Sequence, residues 1–136
     1  MSNFPDSPRF DFLAIYAILY GAGVALIGVA IPLYRGRIPP NSLYGARFAS
    51  TLTHDRVWYQ INARGGRDLI IIGSVYLAAV TFTLLFGASW PFLLRIFCPL
   101  ALLFVGVLLD AVVLSRAASK LAQSGAELGE RLPNER

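Results

Sequence analysis

The side chains that most often do chemistry are sparse in this sequence. Its one histidine, His54, has a single acidic neighbour, Asp55, and its one cysteine, Cys98, lies inside an apolar run. A metal site needs several ligands at suitable spacing, and nucleophilic catalysis needs a base beside the nucleophile; neither pattern is present. Gly65-Gly66 lacks the lysine and the spacing of a phosphate-binding loop. The sequence therefore predicts no enzyme activity, no metal site and no cofactor.

The composition indicates a membrane protein. The 136 residues are 56% hydrophobic and only 15% charged, and the mean hydropathy is +0.59. A soluble domain carries about 25% charged residues, so too few are left here to cover a water-facing surface. The net charge of +4 does not indicate a nucleic-acid partner, because membrane proteins carry excess basic residues on one side of the bilayer. The partner that the composition predicts is the lipid bilayer.

Three apolar stretches are long enough to cross that bilayer. Residues 12–34 contain no charge and would span roughly 34 Å as a helix, against a hydrocarbon core of about 30 Å. A cleaved signal peptide fits less well, because its apolar part is shorter. The region after residue 68 is too long for one span, and we expect helices at 69–88 and 91–115 with a turn near Gly87–Pro91. The predicted fold is an all-α integral membrane protein, a single domain with three transmembrane helices.

The basic residues predict the orientation of these helices. Residues 35–68 hold six arginines and the tail at 116–136 holds four of the remaining cations, so ten of the twelve share one side. The positive-inside rule makes that side cytoplasmic, with the N-terminus out and the C-terminus in. Beyond setting orientation, the arginines of residues 35–68 could bind anionic lipid headgroups.

Residues 35–68 predict a structured loop with a short helix. Pro39 and Pro40 cannot continue the first helix, and Asn41 and Gly45 favour a turn. Thr53 can cap a helix whose first turn contains Asp55.

That helix is predicted at residues 53–64, and Gly65-Gly66 is expected to end it. Val57, Trp58 and Ile61 give it one apolar face, which is typical of a helix lying in the headgroup plane with the tryptophan turned toward lipid.

The same segment resembles the SdpI family of bacterial membrane proteins. The resemblance is carried by IPPN (38–41), YGAR (44–47), STLT (50–53), DRVWYQIN (55–62) and GR (66–67) in a fixed order. It implies a short, three-span form in the bacterial inner membrane. The best-known member of the family protects a toxin-producing cell from its own secreted peptide and recruits a cytoplasmic repressor. The motif and partner-binding residues that the resemblance implies are Pro39, Pro40, Asn41, Gly45, Arg47, Thr51, Asp55, Trp58, Asn62 and Gly66.

Two charged residues in the third apolar stretch call for an explanation. Asp110 lies roughly 7 Å from the end of its span, where a carboxylate is costly and is usually paired unless it reaches water. We expect it to pair with a loop arginine, with a slight preference for Arg47 over Arg35 and Arg67. Arg95, near the outer end of the same span, is expected to have a structural role.

Small residues recur at helical spacing in the first span, a pattern that lets another helix approach closely. We expect this seam to pack against the other two spans, although a partner protein or a second copy would also fit it. It consists of Ala14, Ala17, Gly21, Ala25 and Gly28.

Three functions remain open after these observations. The first is an SdpI-like membrane protein that binds a peptide toxin or a cytoplasmic regulator. The second is an accessory structural subunit of a larger membrane complex. The third is a component of a small transporter or channel, which has only a thin set of polar span residues to support it: Ser74, Thr81, Thr83 and Asp110.

Overall fold

The computed structural model describes residues 8–41, 43–52 and 55–131, with side chains for 12–41, 43–52 and 55–124. Three long helices dominate it: α1 (Pro8–Tyr34), α3 (Asp55–Phe86) and α4 (Phe92–Arg131). A four-residue helix, α2 (Ala49–Leu52), lies in the connecting loop of residues 35–54. The central helix is α3, which packs against both α1 and α4.

The three long helices confirm the predicted all-α membrane fold. Each is long and apolar enough to cross a bilayer. Large apolar side chains also point outward along all of them; Ile18 and Phe104, for example, are 70% and 65% exposed. Such a surface would be unfavourable in water and suits contact with lipid chains.

Hydroxyl groups join α1 to α3 within this apolar bundle. Tyr20 shares a hydrogen bond of 2.7 Å with Thr81, and the buried Tyr76 hydroxyl donates to the backbone oxygen of Leu19 at 3.0 Å. A longer bond of 3.4 Å runs from the Tyr16 hydroxyl to Thr83. Because a polar group facing lipid finds no partner, these bonds favour the packed arrangement of the two helices.

The predicted helix at 53–64 with a break at Gly65-Gly66 is wrong. The helix α3 runs without interruption from Asp55 through both glycines to Phe86. A Cβ at Gly66 would collide with the backbone of α1 at Ala30 and Tyr34, and one at Gly65 would lie 2.8 Å from the Leu114 side chain. The glycine pair therefore does not end a helix but lets three helices approach closely at this level. The predicted cap at Thr53 lies outside the described residues.

The predicted turn near Gly87–Pro91 is confirmed. A 3-10 turn at Gly87–Ser89 ends the second long helix, and Trp90 adopts an extended conformation before α4 begins. The Arg95 guanidinium donates to the backbone oxygens of Ala88 and Trp90 at 2.9–3.1 Å. The expected structural role of Arg95 is thus to tie the first turn of α4 to this connection.

We predict that Arg95→Gln loosens this end of the bundle. It removes charge-assisted hydrogen bonds to two carbonyl groups. At a partly exposed site, the loss of such bonds lowers the free energy of unfolding by about 1–2 kcal/mol. The thermal unfolding midpoint of the detergent-solubilised protein should fall, whereas Arg116→Gln, at an exposed position further along α4, should leave it unchanged. Equal midpoints for the two variants would contradict this role.

The expected internal packing of the small-residue seam is also wrong. Its five members are exposed, and a Cβ at Gly21 or Gly28 would meet nothing within 4 Å. The residues of α1 that face the bundle, such as Tyr16, Leu19 and Ala30, lie on the opposite side of the helix at about 100° per residue. Bulky side chains make that contact, with Gly23 admitting Tyr76 and Leu77.

Candidate functional site

The connecting loop folds back against the three long helices, near the end of α1, the start of α3 and the middle of α4. One amide side chain organises its first turn: Asn41 accepts hydrogen bonds from the backbone N–H groups of Leu43 (2.9 Å) and Tyr44 (2.7 Å). The same side chain donates to the backbone oxygens of Pro39 (2.8 Å) and Tyr44 (3.3 Å). Asparagine suits this position because its short amide can replace backbone partners in a turn.

A threonine organises the second half of the loop. The Thr51 hydroxyl accepts from the Phe48 N–H at 2.9 Å and lies within donating distance of the backbone oxygens of Ala46 and Phe48. Thr51 is fully buried. Its hydroxyl therefore replaces water for polar groups that the folded loop encloses.

Two buried side chains of α3 attach the loop to the bundle. The Trp58 indole N–H donates to the Ile38 oxygen at 2.9 Å. The Asn62 amide accepts from the Ala46 N–H at 2.6 Å and donates to the Trp58 oxygen at 3.0 Å. Gly45 has φ +107° and passes directly over Asn62, where a Cβ would collide with the amide oxygen. This backbone conformation and the close contact both require glycine.

The prediction that Trp58 faces lipid is wrong, since its side chain is 0% exposed. Its apolar neighbours Val57 and Ile61 pack with Leu114 and Ala118, because α4 continues as a helix beyond residue 115 and covers this face. A periodic apolar face fits a protein partner as well as it fits lipid, and here the partner is protein.

We predict that Trp58 is shielded from quenchers in the bilayer. In a Trp90→Phe background, lipids brominated along their acyl chains should quench Trp58 less than they quench Trp90 in the reciprocal Trp58→Phe background. The reason is that Trp58 is enclosed whereas Trp90 is 38% exposed at the opposite end of the bundle. Stronger quenching of Trp58 than of Trp90 would show that the loop does not cover it.

The motif residues divide into buried or partly buried residues that shape the loop, and exposed positions. Asn41, Gly45, Thr51, Trp58, Asn62 and Gly66 shape the loop or its attachment. The exposed members are Pro39, Pro40, Arg47 and Asp55, the last of these in the first turn of α3. Leu43, between them in the loop, is 91% exposed.

A cavity of about 330 Å³ lies between the loop, the C-terminal end of α1, the N-terminal part of α3 and the middle of α4, and we call it the loop-side cavity. Apolar side chains such as Leu33, Leu69 and Val107 form most of its wall, and Tyr44, Arg47 and Asp110 add polar groups. The Tyr44 hydroxyl is buried without a hydrogen-bond partner in the described part of the chain, and burial raises the pKa of Tyr44. The cavity therefore offers an apolar lining with a few unused polar groups, which is typical of a binding site.

The predicted pairing of Asp110 with Arg47 is wrong, and so are the alternatives Arg35 and Arg67. Both Arg47 and Asp110 line the cavity, but the described residues form no ion pair between them. The Asp110 carboxyl instead lies near the Asp68 carboxyl.

Asp68 in turn holds the neighbouring arginines. Arg67 lies 2.8 Å and Arg64 3.7 Å from its carboxylate, and the Arg64 pair has the i,i+4 spacing of helical ion pairs. The cations nearest to Asp110 are thus already bound to another carboxylate.

The sequence reasoning missed Tyr44 and Asp68. Tyr44 belongs to the YGAR segment, but its unpartnered hydroxyl is visible only once the loop is folded. Asp68 follows Arg64 by four residues, and that spacing on a helix would have indicated the pair had the helix been expected to continue. His54 lies outside the described residues, and no group of three His, Cys, Asp or Glu side chains within the described ranges is placed to hold a metal ion.

Comparison with models of protein families shows the family to which this chain belongs. The family model for the SdpI/YfhL protein family matches residues 37–113, more than half of the sequence. The chain belongs to the SdpI/YfhL family. Curated proteins and solved structures give no significant match.

The region matched by the SdpI/YfhL family model contains the loop, α3 and most of the apolar part of α4. All of the cavity wall except Val29, Leu33 and Leu114 lies within it. The part of the chain that defines it as an SdpI/YfhL protein is therefore also the part that builds the loop-side cavity.

Proposed function

We propose that this protein is a non-enzymatic SdpI-type immunity protein of a bacterial inner membrane, which binds a membrane-active peptide toxin at its loop end. The observation that carries the proposal is the coincidence of the family region with a hydrogen-bonded loop and a partly apolar cavity. An apolar lining with a few polar groups suits a side chain of an amphipathic peptide.

Protection by binding follows from mass action. A toxin that is held by a resident membrane protein is unavailable to assemble elsewhere in the bilayer, and no bond needs to be made or broken. Exposed loop residues, among them Pro39, Leu43 and Arg47, offer a second surface at the same end for a cytoplasmic regulator.

Survival of a sensitive strain tests the proposal. Cells expressing the wild-type chain should survive a secreted membrane-active peptide of the SdpI-associated class at concentrations that kill cells with an empty vector. Ala111→Leu should narrow the cavity and reduce survival, whereas Ala101→Leu, the same change at a position of α4 outside the cavity, should not. Membrane levels of each variant are measured in parallel. Absence of protection by the wild-type chain at normal membrane levels would contradict the proposal.

The orientation proposed with this function places the loop in the cytoplasm. We predict that, in a Cys98→Ser background, an impermeant thiol reagent labels Ser2→Cys in intact cells but labels Asn134→Cys only after lysis. The positive-inside distribution of ten cations on the loop side is the reason. Labelling of the C-terminal position in intact cells would show that the topology is the reverse of the one proposed.

One observation favours a second candidate, an accessory subunit of a membrane complex. The exposed seam of α1 presents small residues to the bilayer, where another transmembrane helix can approach closely. Mild-detergent purification should then yield a partner protein at fixed stoichiometry. The combined change Gly21→Leu and Gly28→Leu should abolish this co-purification. The isolated bundle has space for both side chains, so the change should not unfold it. The transporter hypothesis gains no such support, because Thr81 and Thr83 use their hydroxyls in helix contacts and Ser74 bonds to its own helix.

A further inference from the structure

The loop-side cavity lies where a phospholipid headgroup would lie if the three helices cross the bilayer. Its walls combine the loop-side ends of the apolar helices with the arginine-rich loop. An occupant at this depth meets hydrocarbon on one side and water on the other, so it must be amphipathic. At about 330 Å³ the cavity is at the lower end of the range for small-molecule sites, which suits a headgroup whose acyl chains remain outside.

Two polar groups of the cavity remain available to such an occupant, Arg47 and the carboxyl group of Asp110. Arg47 is exposed at the cavity and forms no ion pair within the described ranges. The Tyr44 hydroxyl has no partner in the described structure, but it is enclosed and presents no surface to an occupant. The Asn62 amide already bonds to the Ala46 N–H and the Trp58 oxygen. The guanidinium of Arg47 suits a phosphate group.

The carboxyl group in the cavity favours an occupant with a positively charged group. Asp110 lies beside Asp68, whose own charge is taken by Arg64 and Arg67. A purely anionic headgroup would be repelled by Asp110, whereas an ammonium group would relieve its contact with a second carboxyl. The cavity therefore presents complementary charges to a zwitterion.

We propose that the loop-side cavity binds the headgroup of an ethanolamine phospholipid, with its phosphate at Arg47 and its ammonium at Asp110. A primary ammonium donates three hydrogen bonds to carboxyl oxygens, whereas the quaternary ammonium of choline donates none. The proposal goes beyond the immunity function and does not depend on it, because the lipid would be a resident of the site in the absence of toxin.

Lipid retention tests the proposal directly. The full chain is reconstituted in vesicles of equal parts phosphatidylethanolamine, phosphatidylcholine and phosphatidylglycerol with identical acyl chains, extracted in mild detergent, and analysed by native mass spectrometry. The wild-type chain should retain phosphatidylethanolamine about tenfold over the other two lipids, the effect expected of one charge-assisted hydrogen bond. Asp110→Asn should abolish that preference, and Arg47→Gln should reduce retention of all three lipids. Arg37→Gln, an exposed loop arginine outside the cavity, is the control.

A second measurement needs no variant and so does not depend on whether Asp110→Asn folds. Successive N-methylation of phosphatidylethanolamine should lower its retention by the wild-type chain stepwise, because each methyl group removes a donor. Preference for phosphatidylglycerol would show general attraction to the basic loop and overturn the proposal. Equal retention of all headgroups would also overturn it, and the peptide toxin would then be the remaining proposed ligand of the cavity.

Discussion

Gly66→Ala should destabilise this protein strongly although it adds only one methyl group. That methyl group would point into the backbone of α1 at Ala30 and Tyr34, where no side chain can rotate away. Overpacking of this kind costs about 1–3 kcal/mol, and a rigid backbone neighbour places the cost at the upper end. We expect a large fall in the thermal unfolding midpoint and in folded yield from the membrane, with loss of contact between α1 and α3.

The matched control is Gly28→Ala, measured on the monomeric fraction. Gly28 lies on the same helix pair but faces open space, so the added methyl group meets nothing within 4 Å. Both changes replace a helical glycine by alanine and gain the same helix propensity, about 1 kcal/mol, so their difference reports the collision alone. An equal midpoint for Gly66→Ala and Gly28→Ala would show that α1 does not cross α3 at this glycine.

Asn62→Ala should detach the loop while leaving the three-helix bundle in place. It removes the acceptor of the Ala46 N–H and the donor to the Trp58 oxygen, and leaves a buried backbone N–H without its partner. An unsatisfied buried group costs about 1–3 kcal/mol. Limited proteolysis should then cut within residues 43–52 about fivefold faster or more than in the wild-type chain, because a difference of 1.4 kcal/mol in loop opening is tenfold in its population.

The control for this change is Gln60→Ala, two residues earlier on an exposed position of α3. It shortens a polar side chain of the same helix without touching the loop, so its cleavage rate should match that of the wild-type chain. Unchanged cleavage of Asn62→Ala would mean that other contacts suffice to fix the loop.

The three spans and the turn between the second and third were predictable from sequence because they depend on charge and length. A run of more than twenty residues without a charge has few alternatives to a transmembrane helix, and Trp90-Pro91 marks its interruption. The residue at which the second long helix begins was not predictable in this way. Gly65 and Gly66 look like a helix end in isolation, and only the neighbours Leu114 and Ala30 show that they admit close packing.

The site was predictable in its residues but not in their roles. The motif residues Asn41, Thr51 and Asn62 were singled out together, yet their hydrogen bonds link positions that sequence spacing cannot relate, such as Asn62 and Ala46. The partner of Asp110 was missed for a similar reason. A carboxyl near the end of a span suggests an arginine partner, but the fold brings Asp68 near Asp110, and the neighbouring arginines pair with Asp68.

Hydrogen–deuterium exchange of the wild-type chain in lipid nanodiscs tests most directly whether the family loop is folded against the helices. The amides of Tyr44, Ala46 and Phe48 all donate to buried or partly buried side-chain acceptors on the loop or on α3. We predict that these amides exchange far more slowly than those of an unstructured peptide and that Asn62→Ala speeds the exchange of the Ala46 amide. Exchange of residues 43–52 at the rate of a free peptide, with the helices protected, would contradict it.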